Sequence, residues 1–314
     1  MPHNPLAHPL FWPVTWRLAL TLLAGLGGVV LAERHRLRQL GTSTLFLRVR
    51  IWAWIAPVFV LAVFTGGFVV FLLAAAIALQ GVAEYARLVR LERPYLALLA
   101  GWSIVGLLVA ALARRYLLFL PLGLFLLTCL TPILTGQTRG AHRQVSGAIF
   151  GYLYIGLPMA YLVFIKAAER WGLEFLLVVG LAVALSDVAA FTVGSLLKGP
   201  KLAPAVSPGK TWSGAAGNLL GAALGVAVLR VAVPEEWTGP GIAALIVVVA
   251  VGAVLGDLIE SFVKRDFAVF AVKDAGTVLA GFGGVLDRVD SLLVALPLGY
   301  YALLVADNLA GGPS

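Results

Sequence analysis

The sequence predicts an all-α, polytopic integral membrane protein with about 10 transmembrane helices, and three observations lead there. The first is composition: the 314 residues are 61% hydrophobic and 12% charged, with a mean hydropathy of +0.98. A soluble domain needs more polar surface than this chain can supply. The second is run length, because the apolar stretches approach the roughly 20 residues a helix needs to cross hydrocarbon. They lack the alternation of barrel strands, and backbone groups satisfied within each segment in lipid imply helices. The third is the placement of basic residues in short loops between the runs.

Taken in order, the first run extends from about Phe11 to Leu31. It is long enough to remain a membrane helix, and no cleavage pattern marks it as a signal peptide. Further spans are expected at 51–66, 67–84, 95–113, 115–135, 146–166, 172–194, 213–233, 239–260 and 289–311. Only Gly66-Gly67 divides the second from the third. Gly217, Gly221 and Gly225 recur at spacing four in the eighth span, a pattern that admits a closely packed neighbouring helix. No internal repeat is visible, which weighs against an inverted-repeat transporter. Cys129, the single cysteine, lies in an apolar run and reads as a small packing residue. His3, His8, His35 and His142 are scattered and suggest no metal site.

Lysine and arginine set the orientation. With the N-terminus outside, 17 basic residues fall in inner loops and 6 in outer ones. The split supports ten spans with both termini outside. It also puts the loops 195–212 and 261–288 on the same, cytoplasmic, side. A net charge of +8 distributed in this way fits membrane topology and anionic lipid rather than nucleic acid.

Those two loops hold the candidate chemistry. Between Gly256 and Ser291 lie six of the fifteen acids and four of the twenty-three bases. Acids beside lipid are costly to keep. Asp187 and Asp257 stand near the cytoplasmic ends of their spans, where each carboxylate needs a cation, a metal or water as partner. Asp257, Glu260, Ser261 and Lys264 share one helical face, and a Glu260–Lys264 salt bridge explains Glu260 as well as function does. Lys273 and Asp274, the glycines Gly281, Gly283 and Gly284, and then Asp287, Arg288 and Asp290 complete the stretch. Clustered carboxylates hold a hard divalent cation, lysine and arginine neutralise phosphate, and glycines let the backbone approach it. The set reads as a metal-assisted phosphoryl or nucleotidyl transfer site at the membrane surface. The competing reading is a juxtamembrane loop whose charges anchor headgroups. Upstream, Ser207-Pro208-Gly209-Lys210-Thr211 lacks the early glycine of a P-loop, and no strand is expected before it. Its Lys210 and hydroxyls still suit a phosphate.

The same residues resemble the phosphatidate cytidylyltransferase (CDP-diacylglycerol synthase) family. Its signature is matched by Ser261, Lys264 and Arg265, then Lys273 and Asp274, then Gly281, Gly283, Gly284, Asp287, Arg288 and Asp290. An upstream motif is matched by Asp187, Phe191, Ser207, Pro208, Lys210, Thr211, Trp212 and Gly214, with weaker similarity at Leu47–Ile51 and Glu84-Tyr85. The resemblance covers about residues 47–300. It divides the chain into an extra N-terminal span with a basic cytoplasmic loop over 1–46 and a transferase-like membrane domain over 47–314. Within that domain, helices over 47–170 precede a catalytic half over 171–314.

The resemblance implies that CTP and phosphatidate give CDP-diacylglycerol and pyrophosphate, with Mg2+ and a second cation as candidates for the metals. It assigns Asp257 and Asp287 as metal ligands and Lys264, Arg265, Lys273 and Arg288 to phosphates. Asp274 and Asp290 complete the polar cluster. Asp187, Ser207, Lys210, Thr211, Ser261, Gly283 and Gly284 contribute to substrate binding. The implied partners are CTP, phosphatidic acid or a related lipid phosphate, and the bilayer, with a homodimer as the family's assembly and the bacterial inner membrane as the location. Departures from the pattern are Phe282 for a histidine, Ala280 for a proline, Ser213 for a glutamate, and a longer spacer over 266–272. They keep open a divergent enzyme acting on another lipid phosphate. A non-catalytic lipid-binding or transport protein on the same fold is the further alternative.

Overall fold

The computed structural model describes residues 4–32, 44–168, 170–267 and 284–309. These residues are helical apart from short turns and one two-stranded hairpin. The first half comprises α1 (Phe11–Ala32), α2 (Thr44–Thr65), α3 (Gly67–Val89), α4 (Arg93–Leu112) and α5 (Leu120–Thr135). A single rod follows, formed by α6 (Ala141–Gly151), a π-helical turn (Tyr152–Gly156) and α7 (Leu157–Lys166). The second half comprises α8 (Gly172–Leu197), strands β1 (Lys201–Ala203) and β2 (Ser207–Thr211), α9 (Trp212–Val228), α10 (Gly239–Asp266) and α11 (Leu286–Leu309). Among the described residues, eight segments are long and apolar enough to cross a membrane, and Val49–Thr65 and Trp212–Val228 are shorter apolar helices. The all-α membrane architecture expected from composition is therefore the one observed.

Two helices outrun their apolar stretches. α3 continues to Val89 and α10 to Asp266, past the expected ends near 84 and 260. Hydropathy locates the lipid-compatible part of a helix. The helix itself persists where charged side chains find partners, as Glu84, Glu260 and Lys264 do.

Glycine seams pair the helices of the second half. A Cβ on Gly217 would come within 2.7 Å of the Ala189 carbonyl oxygen, and one on Gly225 within 2.5 Å of Ala182 Cα. The spacing-four glycines of α9 thus let its backbone lie against α8, the packing role expected of them. Gly252 does the same between α10 and α11, where a Cβ would meet Ala295 Cα at 2.9 Å. One turn later Gly256 lies against the Asp290 carbonyl. Because these approaches are backbone to backbone, α8–α9 and α10–α11 are fixed pairs.

The core runs through α8, where Phe175, Leu176, Val178 and Val179 are fully buried. Tyr152, Ile155 and Met159 from the central rod meet Leu99 and Leu107 of α4 in the same core. Outward-facing Trp54, Phe68, Leu112 and Leu220 are more than 60% exposed, as expected of a surface turned to lipid rather than water. α1 lies at the periphery, held at its start by His8 and Phe11 against Phe64 of α2.

Residues 199–211, expected to form a loop, instead form the antiparallel hairpin β1–β2, with Lys201 paired to Thr211 and Ala203 to Ser207. The Val206 amide closes its turn on the Ala203 carbonyl at 3.1 Å. Proline is tolerated because each strand has a free edge.

Candidate active site

The C-terminal ends of α8 and α10, the N-terminal ends of α9 and α11, and the hairpin converge on one cavity of about 630 Å³. That size suits a small-molecule site. The loops 195–212 and 261–288 were expected on a common side, and the described parts of both border this cavity.

The hairpin delivers Ser207, Lys210 and Thr211 to the cavity wall. The Lys210 ammonium is ion-paired with Asp257 of α10, so the hairpin is tied across the cavity to the acidic wall. Thr211 lines the cavity and also has a structural task. Its side chain is the N-cap of α9: Oγ1 accepts from the Gly214 amide at 3.1 Å and also contacts Ser213 Oγ at 2.9 Å. Threonine caps helices because its short side chain reaches an amide left without a partner in the first turn. The α9 N-terminus, with its partial positive charge, consequently opens onto the cavity beside Lys210.

α10 and α11 form the acidic wall. Asp257, Glu260 and Asp290 each place a carboxylate oxygen within 4.8 Å of the others'. Glu260 and Asp290 are each only 6% exposed. Glu260 Oε1 is ion-paired to Lys264 Nζ at 2.9 Å without forming an aligned hydrogen bond. Lys264 is also ion-paired with Asp287, whose second oxygen accepts from the Gly284 amide at 3.2 Å. Of the two expected metal ligands, Asp257 is a member of this trio, and Asp287 adjoins it through Lys264, which it shares with Glu260. The salt bridge expected for Glu260 is present, and so is a place in the cluster.

Asp187 of α8 accepts a hydrogen bond from Ser291 Oγ at 3.1 Å, and Ser291 Oγ also lies 3.3 Å from the Ala253 carbonyl. Ser291 thereby links α8, α10 and α11. Ser261 and Arg288 line the cavity as well. Arg265 lies in the last turn of α10, beyond the cavity lining. Gly284 acts through its amide on Asp287. Lys273, Asp274 and Gly283 lie outside the described residues, as does Phe282.

Several contributors were not singled out in sequence. Asn218 accepts from Ser186 Oγ at 2.9 Å in a buried contact that joins α8 to α9 at the cavity floor. The Tyr154 hydroxyl, on the π-helical turn, reaches the Gly256 carbonyl at 3.4 Å and backs the acidic wall. Trp52 of α2 closes one side. Asn218 and Ser291 had a visible signal as polar residues inside apolar runs. Trp52 and Tyr154 had none.

A divalent cation is compatible with this donor set. Three carboxylates converge, two of them buried, and hard cations take oxygen ligands of this kind. Lys210 and Lys264 supply positive charge beside these acids.

Comparison with known proteins agrees with the geometry. The cytidylyltransferase family model matches residues 46–306. The phosphatidate cytidylyltransferase of Brucella suis biovar 1 (strain 1330) is 35% identical over 83% of this chain and 88% of its own length. That of Bacillus subtilis (strain 168) is 34% identical over 48% of this chain and 55% of its own. The uncharacterized protein YnbB of Escherichia coli (strain K12) is 28% identical over 90% and 94%. With most of its length under one family model and a one-third-identical relative covering the same region, this chain belongs to the cytidylyltransferase family.

Proposed function

We propose that this nucleotidyltransferase transfers the cytidylyl group of CTP to phosphatidate, giving CDP-diacylglycerol and pyrophosphate at the cytoplasmic face of the membrane. The observation that carries the reading is the pairing of a carboxylate trio, Asp257, Glu260 and Asp290, with two lysines in a cavity at one end of apolar helices. A triphosphate and a lipid phosphate both bring negative charge, and such a cavity can receive both where a lipid headgroup lies.

In this reading a phosphate oxygen of the lipid attacks the α-phosphorus of CTP. The bond from that phosphorus to the β-bridging oxygen breaks, and pyrophosphate leaves with its electron pair. Lys210 and the N-terminus of α9 hold phosphate oxygens from one side. Lys264 and Arg288 do so from the other. Asp257, Glu260 and Asp290 would hold Mg2+, which when bound neutralises the triphosphate and the charge on the departing pyrophosphate. Asp287 fixes Lys264, and Asp187 fixes Ser291. The 17-to-6 distribution of basic residues supports placing this end in the cytoplasm, hence an inner-membrane enzyme. Neither alternative, another lipid phosphate or a non-catalytic carrier, is favoured by the relatives.

The test is direct. Purified protein is incubated with labelled CTP, Mg2+ and phosphatidic acid, and CDP-lipid and pyrophosphate are quantified. Equimolar formation of both supports the assignment. Absence of both, with CTP bound no worse by Asp257→Asn than by wild type, removes it.

A further inference from the structure

Glu84 is a buried acid that does not line the cavity. It sits near the C-terminal end of α3, in the N-terminal half of the chain, and is 4% exposed. A carboxylate at such a position is costly unless it is well partnered. Its Oε1 accepts from Gln80 Nε2 at 2.9 Å and from the Val285 amide at 3.1 Å, and its Oε2 accepts from the Leu286 amide at 3.0 Å. Those two amides open α11.

Among the described residues, none just before α11 offers a side-chain cap. The residues just before it are Gly284 and Val285, with none of the short polar side chains that ordinarily close a helix N-terminus. Glu84 supplies the missing acceptors from α3 and places a negative charge where the helix is electropositive. The fit is close, since a Cβ on Gly284 would lie 2.7 Å from Glu84 Oε2. The turn gripped in this way bears Asp287, Arg288 and Asp290.

We propose that Glu84 is a positioning residue for the transferase reaction. It sets the height and rotation of the first turn of α11, and so holds Asp290 against Asp257 and Glu260, and Asp287 against Lys264. The proposal rests on the transferase reading for its catalytic consequence, while the contact itself is independent of it.

The full chain in lipid nanodiscs is compared as wild type, Glu84→Gln and Gln80→Met. Glutamine keeps one acceptor oxygen and turns an NH2 toward the other amide. Losing a charge-assisted bond predicts about a tenfold fall in kcat, with KM for CTP within about threefold. Hydrogen–deuterium exchange over 284–291 should rise about tenfold while 239–252 is unchanged. Gln80→Met, which removes only the orienting donor, should give smaller changes in the same direction. Wild-type exchange over 284–291 in Glu84→Gln, or a kcat per folded molecule within twofold of wild type, overturns the proposal. If Glu84→Gln does not yield monodisperse protein, Gln80→Met decides by the same two readouts, and no change in either overturns it. A wild type without activity removes the reaction assignment instead, and the exchange measurement then judges the contact alone.

Discussion

Two helix N-termini face the same cavity, and they are finished in opposite ways. α9 is capped from within by Thr211, a neutral hydroxyl, and is preceded by Lys210. α11 is capped from outside by Glu84, an anion carried by a helix of the other half of the chain. The first arrangement leaves the electropositive end available to a ligand. The second satisfies it internally and surrounds it with the acids Asp287 and Asp290. The difference teaches that the cavity has a basic wall and an acidic wall, although both are built from the same kind of helix end. It also explains why the lysines pair across and along the walls: Lys210 with Asp257, and Lys264 with Glu260 and Asp287.

The largest effect should come from the acidic wall. Asp290→Asn removes one member of the trio and leaves volume unchanged. The loss of several kcal/mol of charge stabilisation predicts a fall in kcat of roughly 10²–10³-fold. Steady-state cytidylyl transfer at saturating CTP measures it, and a fall of less than tenfold would erase the division between the walls.

On the basic wall, if Lys210 holds a CTP phosphate as proposed, Lys210→Met should raise KM for CTP by roughly 10–100-fold, the worth of a charge-assisted hydrogen bond. Lys210→Arg should recover most of it. A change confined to kcat would show that Lys210 serves Asp257 rather than the nucleotide.

Thr211→Ala should lower stability by about 1 kcal/mol through loss of the α9 cap. Thermal unfolding in detergent reads this, with kcat changed by less than the Asp290→Asn effect. Smallest of all, Thr211→Ser keeps the acceptor and should stay within about 0.5 kcal/mol of wild type. A serine variant as unstable as the alanine one would mean that the methyl group, not the cap, matters there.

Much of this site is legible in sequence because its signals are local. Apolar run length gave the helices, and the basic residues put the two functional loops on one side. Asp257, Ser261 and Lys264 share a helical face by spacing alone. The capping role of Thr211 was legible in principle, as a threonine directly before an apolar run, although only the phosphate contact suggested by its neighbours in Ser-Pro-Gly-Lys was read. Glu260 could not be decided, because i,i+4 spacing serves an ion pair and a shared carboxylate cluster equally. The hairpin escaped because three- and five-residue strands carry no period to read. Glu84 was visible as an acid in an apolar helix and in the weaker part of the resemblance, but not as a cap, since the two amides it accepts from lie 201 and 202 positions away and pairing at that distance leaves no pattern in one sequence. Lys273, Asp274 and Gly283 stay assigned by resemblance.

The Glu84 contact bears on how the protein is made. α3 is synthesised well before α11, so the acceptor waits for amides that lie 201 and 202 positions further along the chain. Until then Glu84 is an acid in an apolar helix without the two amides that later hold it, a species for quality-control machinery to recognise. Arrival of α11 completes the cavity and removes that exposed charge in one event. A chain truncated ahead of Leu286 should therefore be degraded rather than accumulate as an inactive membrane protein.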